Sequence, residues 1–406
     1  MKILIICKKY PYPLSDGESV AIVQMSEALA EIGCEVTMLA MNTTRHPYKE
    51  NGPPPEELKH FKETHQVVVD NKIKPWDAFK NLFSKESYHI TRFISTDFEQ
   101  KLKEILTNQS FDIIQLETLY LAPYIKVIKS LTQAPVVMRA HNIEHEIWDR
   151  ISKQIKFIPK KLYLKHLSQK LKKFEIERLN DYDLLIAITE RDLQIFKSLG
   201  YKNGCLAAPV GYKIQDKGVP TAHFSSPLKM SFIGSLDWMP NLEGLNWFLE
   251  SIWPELKKQF PNAEFHVAGR NTPVSLSQSN VPGVFFHGAV PDSAEFISRY
   301  PLFIAPIRAG SGLRIKILEA MSLGRVVIST TMGLEGIPAK EGKQVLIADT
   351  VEAFVGALKF CCDRQNEMEQ IGIQAKNFIK TEFNSDQLAR KLLRAYQMTL
   401  SENHHE

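Results

Sequence analysis

Short apolar runs recur along the chain and alternate with longer amphipathic stretches. In the first half Lys2–Ile6, Glu35–Leu39, Gln66–Asp70, Asp112–Glu117, Pro135–Ala140 and Leu184–Thr189 read as strands. Several are separated by helical segments, such as Ser19–Ile32, with Ser19 as the expected N-cap and Gly33 as the stop. Continuous apolar strands alternating with helices predict parallel sheets wrapped by helices. The pattern breaks at Ala208 to Leu228, which is rich in Pro, Gly and Ser and has no helical period, as an interdomain linker would be. It then restarts. Lys229–Leu236, Ala263–Gly269, Val284–Gly288, Leu302–Ile307, Val326–Ser329 and Val345–Ala348 read as strands. Helices are expected over Leu242–Lys258, Ile315–Leu323, Val351–Cys362 and Asn366–Thr381. The chain has 406 residues, more than one hydrophobic core usually serves. The expected architecture is therefore two Rossmann-like, doubly wound lobes, 1–207 and 229–383. The segment 384–406 is expected to be a helix and tail crossing back to the first lobe.

Composition closes off other classes. A hydrophobic share of 44% and a charged share of 24% exclude a disordered chain or a fibre. A net charge of +4 is too small to indicate a nucleic-acid binder. Five irregularly spaced cysteines without a C-x-x-C pair argue against a disulfide scaffold or a Cys-rich zinc site, and point to a reducing, cytoplasmic compartment. No run of 18 apolar residues exists. Charge is uneven, with a net of +5 over residues 1–227 and −1 beyond. The excess gathers in Ile151–Arg178, where lysines interleave with apolar residues. Such a stretch is either a solvated helix face or a peripheral contact with the anionic inner face of a membrane.

Doubly wound sheets bind ligands beyond the carboxyl ends of their strands, so the loops after strands carry the candidate site. After the first strand, Asp16-Gly17 precedes a helix, where backbone amides and the helix dipole favour an anion. An ordinary tight turn explains it equally well. It is not G-x-G-x-x-G, so a dehydrogenase is disfavoured. After Pro135–Ala140 comes His141-Asn142-Ile143-Glu144-His145. This formally fits the zinc pattern H-x-x-E-H, which needs a running helix. A structural histidine and a polar active-site loop are the other readings. Gly234 and Asn241 follow the first strand of the second lobe, with Asn241 a candidate cap, and Arg270 follows the next. Most informative is Gly310-Ser311-Gly312-Leu313-Arg314-Ile315-Lys316, continuing to Glu319. Its glycines free a helix start for an anion, Arg314 and Lys316 suit a diphosphate, and Glu319 can accept from ribose hydroxyls. Asp181-Tyr182-Asp183 has metal-site spacing but precedes a strand, and reads as a turn.

Taken in order, Pro13–Gly17, His141-Asn142-Ile143-Glu144, Phe232-Ile233-Gly234, Val267-Ala268-Gly269-Arg270 and Leu318-Glu319-Ala320-Met321 with Gly324 resemble the GT-B glycosyltransferases, specifically retaining family 4. The resemblance spans nearly the whole chain. It implies two lobes flanking a cleft, and transfer from a nucleotide-diphosphate sugar, without metal or other cofactor, to a glycan or lipid-linked glycan. Surface polysaccharide synthesis is the implied setting. His141 would orient the donor sugar. Asp16, Glu117, Asn142 and Glu144 would lie on the acceptor side. The family's Glu-x7-Glu element is incomplete, because Ser311 stands where the first glutamate belongs. Backbone amides of Gly312 and Leu313 are the expected substitute, with the diphosphate left to Arg314 and Lys316. A sugar-nucleotide epimerase and a non-catalytic nucleotide-sugar binder are the competing readings.

Overall fold

The computed structural model describes residues 1–14, 16–44, 47–48, 55–155, 157–211, 227–309 and 313–403. The chain divides into two compact units, Met1–Gly211 with Ser385–Glu406, and Tyr212–Asn384.

The first unit holds a seven-stranded, wholly parallel sheet. Its strands are β1 (Lys2–Cys7), β2 (Glu35–Thr43), β3 (Glu63–Val69), β4 (Ile113–Leu116), β5 (Val136–Ala140), β6 (Leu184–Ala187) and β7 (Gly204–Ala207), in the order β3-β2-β1-β4-β5-β6-β7. Ile3 of β1 registers with Val36 on one side and Ile113 on the other. Both faces are covered, which is why the strands read as unbroken apolar runs. Leu4, Ile6, Ile114, Leu116 and Met138 pack toward Phe98, Leu102 and Tyr124. On the opposite face Ile3, Ile5, Val36, Met38 and Val137 share a core with the helix Gly17–Glu31. That same core takes in Leu388, Ala389, Leu392 and Tyr396 from the helix Ser385–Asn403. The last segment of the chain thus completes the first unit's core.

The helix Gly17–Glu31 begins two residues before the expected Ser19. Asp16 is its N-cap, with the Asp16 carboxylate accepting from the backbone N–H of Ser19. A carboxylate there satisfies an orphan amide and matches the helix dipole, as a buried serine further in does not. Strand β7 escapes the apolar pattern because it is four half-exposed residues at the sheet edge.

The second unit holds a six-stranded parallel sheet. Its strands are β8 (Lys229–Ile233), β9 (Glu264–Ala268), β10 (Val284–Gly288), β11 (Leu302–Ala305), β12 (Val326–Ser329) and β13 (Leu346–Ile347), in the order β10-β9-β8-β11-β12-β13. Phe248, Trp253, Phe265 and Phe354 form the centre of its core. The single helix expected over Leu242–Lys258 is instead two, Met239–Trp247 and Trp253–Gln259, joined by a π-turn at Phe248–Ile252. Pro254 has no amide hydrogen to give to Glu250, so the regular ladder cannot run through. Asn241 is consequently the third residue of its helix, and the cap position belongs to Trp238.

Leu392 is fully buried against the first unit's sheet. Leu392→Ala is expected to destabilise that unit by about 2–5 kcal/mol. Chemical denaturation followed by circular dichroism measures this; an unchanged midpoint would contradict the assigned packing.

Candidate active site

Strand order reverses between β1 and β4, and the groups that follow these strands and β5 gather at that end of the sheet. Glu117 follows β4 directly and has no exposed surface. Its Oε2 accepts from Arg139 Nη1 at 3.2 Å and from His141 Nε2 at 2.8 Å. Its Oε1 accepts from Gln115 Nε2, and Gln115 Oε1 in turn accepts from the Tyr396 hydroxyl. Arg139, on β5, also donates to the carbonyl of Ala21 at 3.2 Å. Burial alone would raise the Glu117 carboxyl, but Arg139 and the His141 hydrogen bond hold it below the usual carboxylate range. The carboxylate therefore fixes His141 as the Nε2–H form, leaving Nδ1 as acceptor in the neutral ring.

Beside this network lies a second buried group. Glu144 Oε2 accepts from the Tyr120 hydroxyl at 2.8 Å, and Trp148 Nε1 reaches the same hydroxyl at 3.4 Å. Burial pushes the Glu144 carboxyl up to about 7, although Lys8 and Tyr120 pull the other way. Lys8 follows β1, lies over the Tyr120 ring at 4.7 Å and pairs with Glu18 at 3.1 Å. Burial would likewise raise Glu18, but Lys8, Lys9 and His141 bring it down to about 2. Lys9 pairs with Asp16 at 2.6 Å.

The H-x-x-E-H histidines do not converge. His141 precedes the helix Glu144–Gln154 and turns to Glu117, whereas His145 Nδ1 lies 2.5 Å from Glu175. Glu175, from the helix Ile158–Glu177, also accepts from the backbone amides of Glu144 and His145. It thus caps the shorter helix from outside and sets where the His141 loop ends. Asn142 is half-buried between His141 and buried Ile143. Gly17 is exposed at its helix start, where the Asp16 carboxylate already occupies the Ser19 amide. Asp181 and Asp183 point apart, to Arg178 and to the Val136 amide.

In the second unit the order reverses between β8 and β11. The loops after β8 and β9 press together: Leu236 N–H donates to the Arg270 carbonyl, and a Cβ on Gly269 would lie 2.1 Å from the Gly234 carbonyl oxygen. Only glycine fits there. Asn241 Nδ2 braces this turn through the Ser235 carbonyl at 2.9 Å. The Arg270 side chain is exposed. Arg314 stands at the N-cap of the helix Ile315–Ser322, its Nη2 donating to the Ala309 carbonyl at 3.3 Å. Half-buried Leu313 precedes it, and Gly310, Ser311 and Gly312 lie outside the described residues. Glu319 is buried at the edge of a crevice with Ser293. Its two oxygens accept from Ser293 Oγ at 2.6 Å and Lys316 Nζ at 2.7 Å. Lys316, expected to serve a diphosphate, is thus tied to Glu319 and Ser293.

Pattern reading missed Lys8, Glu18, Tyr120, Arg139, Glu175, Ser293 and Tyr396. Lys8 and Lys9 directly follow a strand and were open to the strand-end rule. Tyr396 was not, being 281 residues from Gln115.

The raised Glu144 carboxyl has a definite linkage sign. It binds a proton more tightly folded than unfolded, so its contribution is full below about 4.5 and is lost as pH rises through about 7. Relative to wild type, Glu144→Gln is expected to gain stability between pH 5 and pH 8, by roughly 3 kcal/mol at most. Urea denaturation of both proteins at the two pH values measures the gain. A pH-independent difference would contradict the buried, proton-binding carboxyl.

Comparison with known proteins places these sites in context. The chain is 23% identical over 95% of its length, and 97% of the other's, to a protein of Klebsiella pneumoniae described as an uncharacterized 44.6 kDa protein in the cps region. Its fold is similar to sucrose-phosphate synthase from Thermosynechococcus elongatus, with a TM-score of 0.72 at 14% identity, covering 99% of this chain and 100% of that one. It is also similar to HepE of Anabaena in complex with UDP-glucose, with a TM-score of 0.65 at 14% identity, covering 99% and 100%. The two parallel-sheet units are those of the GT-B fold. Residues 227–363, which include Gly234, Arg270, Arg314 and Glu319, match the family model described as Glycosyl transferases group 1.

Proposed function

We propose that this protein transfers a sugar from a nucleotide-diphosphate sugar to a glycan or lipid-linked glycan, with retention of anomeric configuration, in the synthesis of a surface polysaccharide. The observation that carries the reading is the Glu319 cluster. A buried carboxylate paired with Lys316 and Ser293 lies about a turn and a half past Arg314, inside the segment that matches group 1 glycosyltransferases. The solved HepE complex with UDP-glucose supports a nucleotide sugar as donor, and the cps-region relative supports the polysaccharide setting.

The chemistry follows from charge. As the diphosphate leaves, the sugar carbon becomes oxocarbenium-like and negative charge builds on the departing oxygen. Arg314 and the first-turn amides of the helix Ile315–Ser322 are fixed donors for that charge. Glu319 accepts from the ribose hydroxyls, exchanging its bond from Ser293 for one from the ligand. Lys316 keeps that carboxylate oriented. In the first unit His141, held by Glu117, orients the donor sugar. The acceptor side draws on Asp16, Asn142 and Glu144, while Glu117, expected there too, is fully buried and acts through His141. The acceptor hydroxyl attacks from the face the diphosphate leaves, and a phosphate oxygen takes its proton, so the reading requires no metal.

Nuclear magnetic resonance of the glycoside formed from a nucleotide sugar of known anomeric configuration tests this, and the same configuration is expected in product and donor. Arg314→Ala is expected to lower kcat by about 10²–10³-fold, and Glu319→Ala to raise the donor KM by about 10–100-fold. An inverted product overturns retention; kinetics like wild type in both variants overturn the site.

A further inference from the structure

The first unit carries an exposed aromatic cluster. The helix Pro75–Asn81 and the turn after it present Trp76 at 65% exposure, Phe79 at 51% and Phe83 at 82%. These rings pack on one another at the surface. Trp76 stacks on Phe79 at 5.7 Å between centroids, and Phe79 meets Phe83 edge-on at 5.8 Å. Exposed aromatic patches of this kind mark contact surfaces.

The cluster is joined to the basic helix Ile158–Glu177. Lys170 of the helix Ile158–Glu177 donates to the carbonyls of Asn81 and Leu82, at 2.6 and 3.2 Å. That helix buries Leu167, Leu171 and Glu175 and turns its other side outward. Its amino end exposes Phe157, Ile158 and Leu162 among Lys160, Lys161 and Lys165. On the aromatic side Lys80 lies over the Trp76 ring at 5.7 Å. A shallow crevice beside it is lined by Lys72, Lys74, Lys80 and Arg92, with Asp70 and Asp77 among them. Between Asp70 and Glu86 and along the helix Ile158–Glu177, ten lysines stand against five carboxylates.

We propose that this face docks the protein on an anionic lipid bilayer, with Trp76, Phe79 and Phe83 entering the headgroup region and the lysines pairing with lipid phosphates. Tryptophan and phenylalanine suit the interface because it offers apolar contact next to water. Lysines rimming the rings add attraction to anionic headgroups. The same positive charge disfavours a second copy of this chain as occupant, since like faces would repel. No helix among the described residues is long and apolar enough to cross a membrane, so the contact is peripheral. The proposal stands apart from the transfer reading, and its test needs no turnover.

The test is co-sedimentation of the full chain with vesicles of phosphatidylcholine alone or mixed with phosphatidylglycerol, at low and high salt. The wild type is expected to pellet with the anionic vesicles and to be released by salt. A W76A/F79A/F83A variant and a K160E/K161E/K165E variant are each expected to lose about tenfold or more in partitioning. All six side chains are on the surface, so unchanged circular dichroism serves as the folding control. Binding to neutral vesicles alone, or to none, overturns the proposal. So does wild-type partitioning in the aromatic variant. Concentration-dependent dimerisation abolished by that variant would assign the face to a second copy and overturn it equally.

Discussion

A carboxylate with no exposed surface organises the first unit's functional end. Glu117 is surrounded by Arg139, His141 and Gln115, and through Gln115 it reaches Tyr396 on the last helix of the chain. A buried charge is tolerable only when paired and hydrogen-bonded, and removing one partner of such a pair typically costs about 3–5 kcal/mol. The network therefore has few alternative arrangements. It joins β4, β5, the loop after β5, the helix Gly17–Glu31 and the C-terminal helix, and it fixes the imidazole of His141. Segment 385–403 is thus both a core element and part of what positions a candidate site residue.

The second unit solves a similar problem with backbone. Gly234 and Gly269 let two strand-end loops approach closely, and Asn241 locks the turn from within its helix. Its polar centre is Glu319, held by Ser293 and Lys316. Both sites lie where strand order reverses, the one place in a doubly wound sheet where adjacent loops part to leave a crevice.

How much of this was legible follows from how local each feature is. Ile3 to Ile6 and Val326 to Ile328 announce themselves as strands because both faces are buried and no polar residue interrupts them. Edge strand β7, half-exposed and four residues long, carries no such signal. Cap positions depend on one hydrogen bond, so Asp16 displaced Ser19; the helix expected to start at Asn241 begins two residues earlier, at Met239. His141 and Glu319 were accessible to the strand-end rule. Their partners were not: Glu175 and Tyr396 act across long sequence separations, which no local spacing encodes. The role of Lys316 also shifted, because Ser293 comes from an element that the apolar pattern does not mark.

On the proposed function, the second unit recognises a nucleoside diphosphate. Thermal unfolding of the purified chain with UDP, GDP, ADP, dTDP and CMP, each with and without chelator, tests it most directly. One diphosphate at about 100 times its dissociation constant should add about 2.7 kcal/mol and raise the midpoint by a few degrees, unaffected by chelator. A midpoint that no nucleotide moves would contradict the claim.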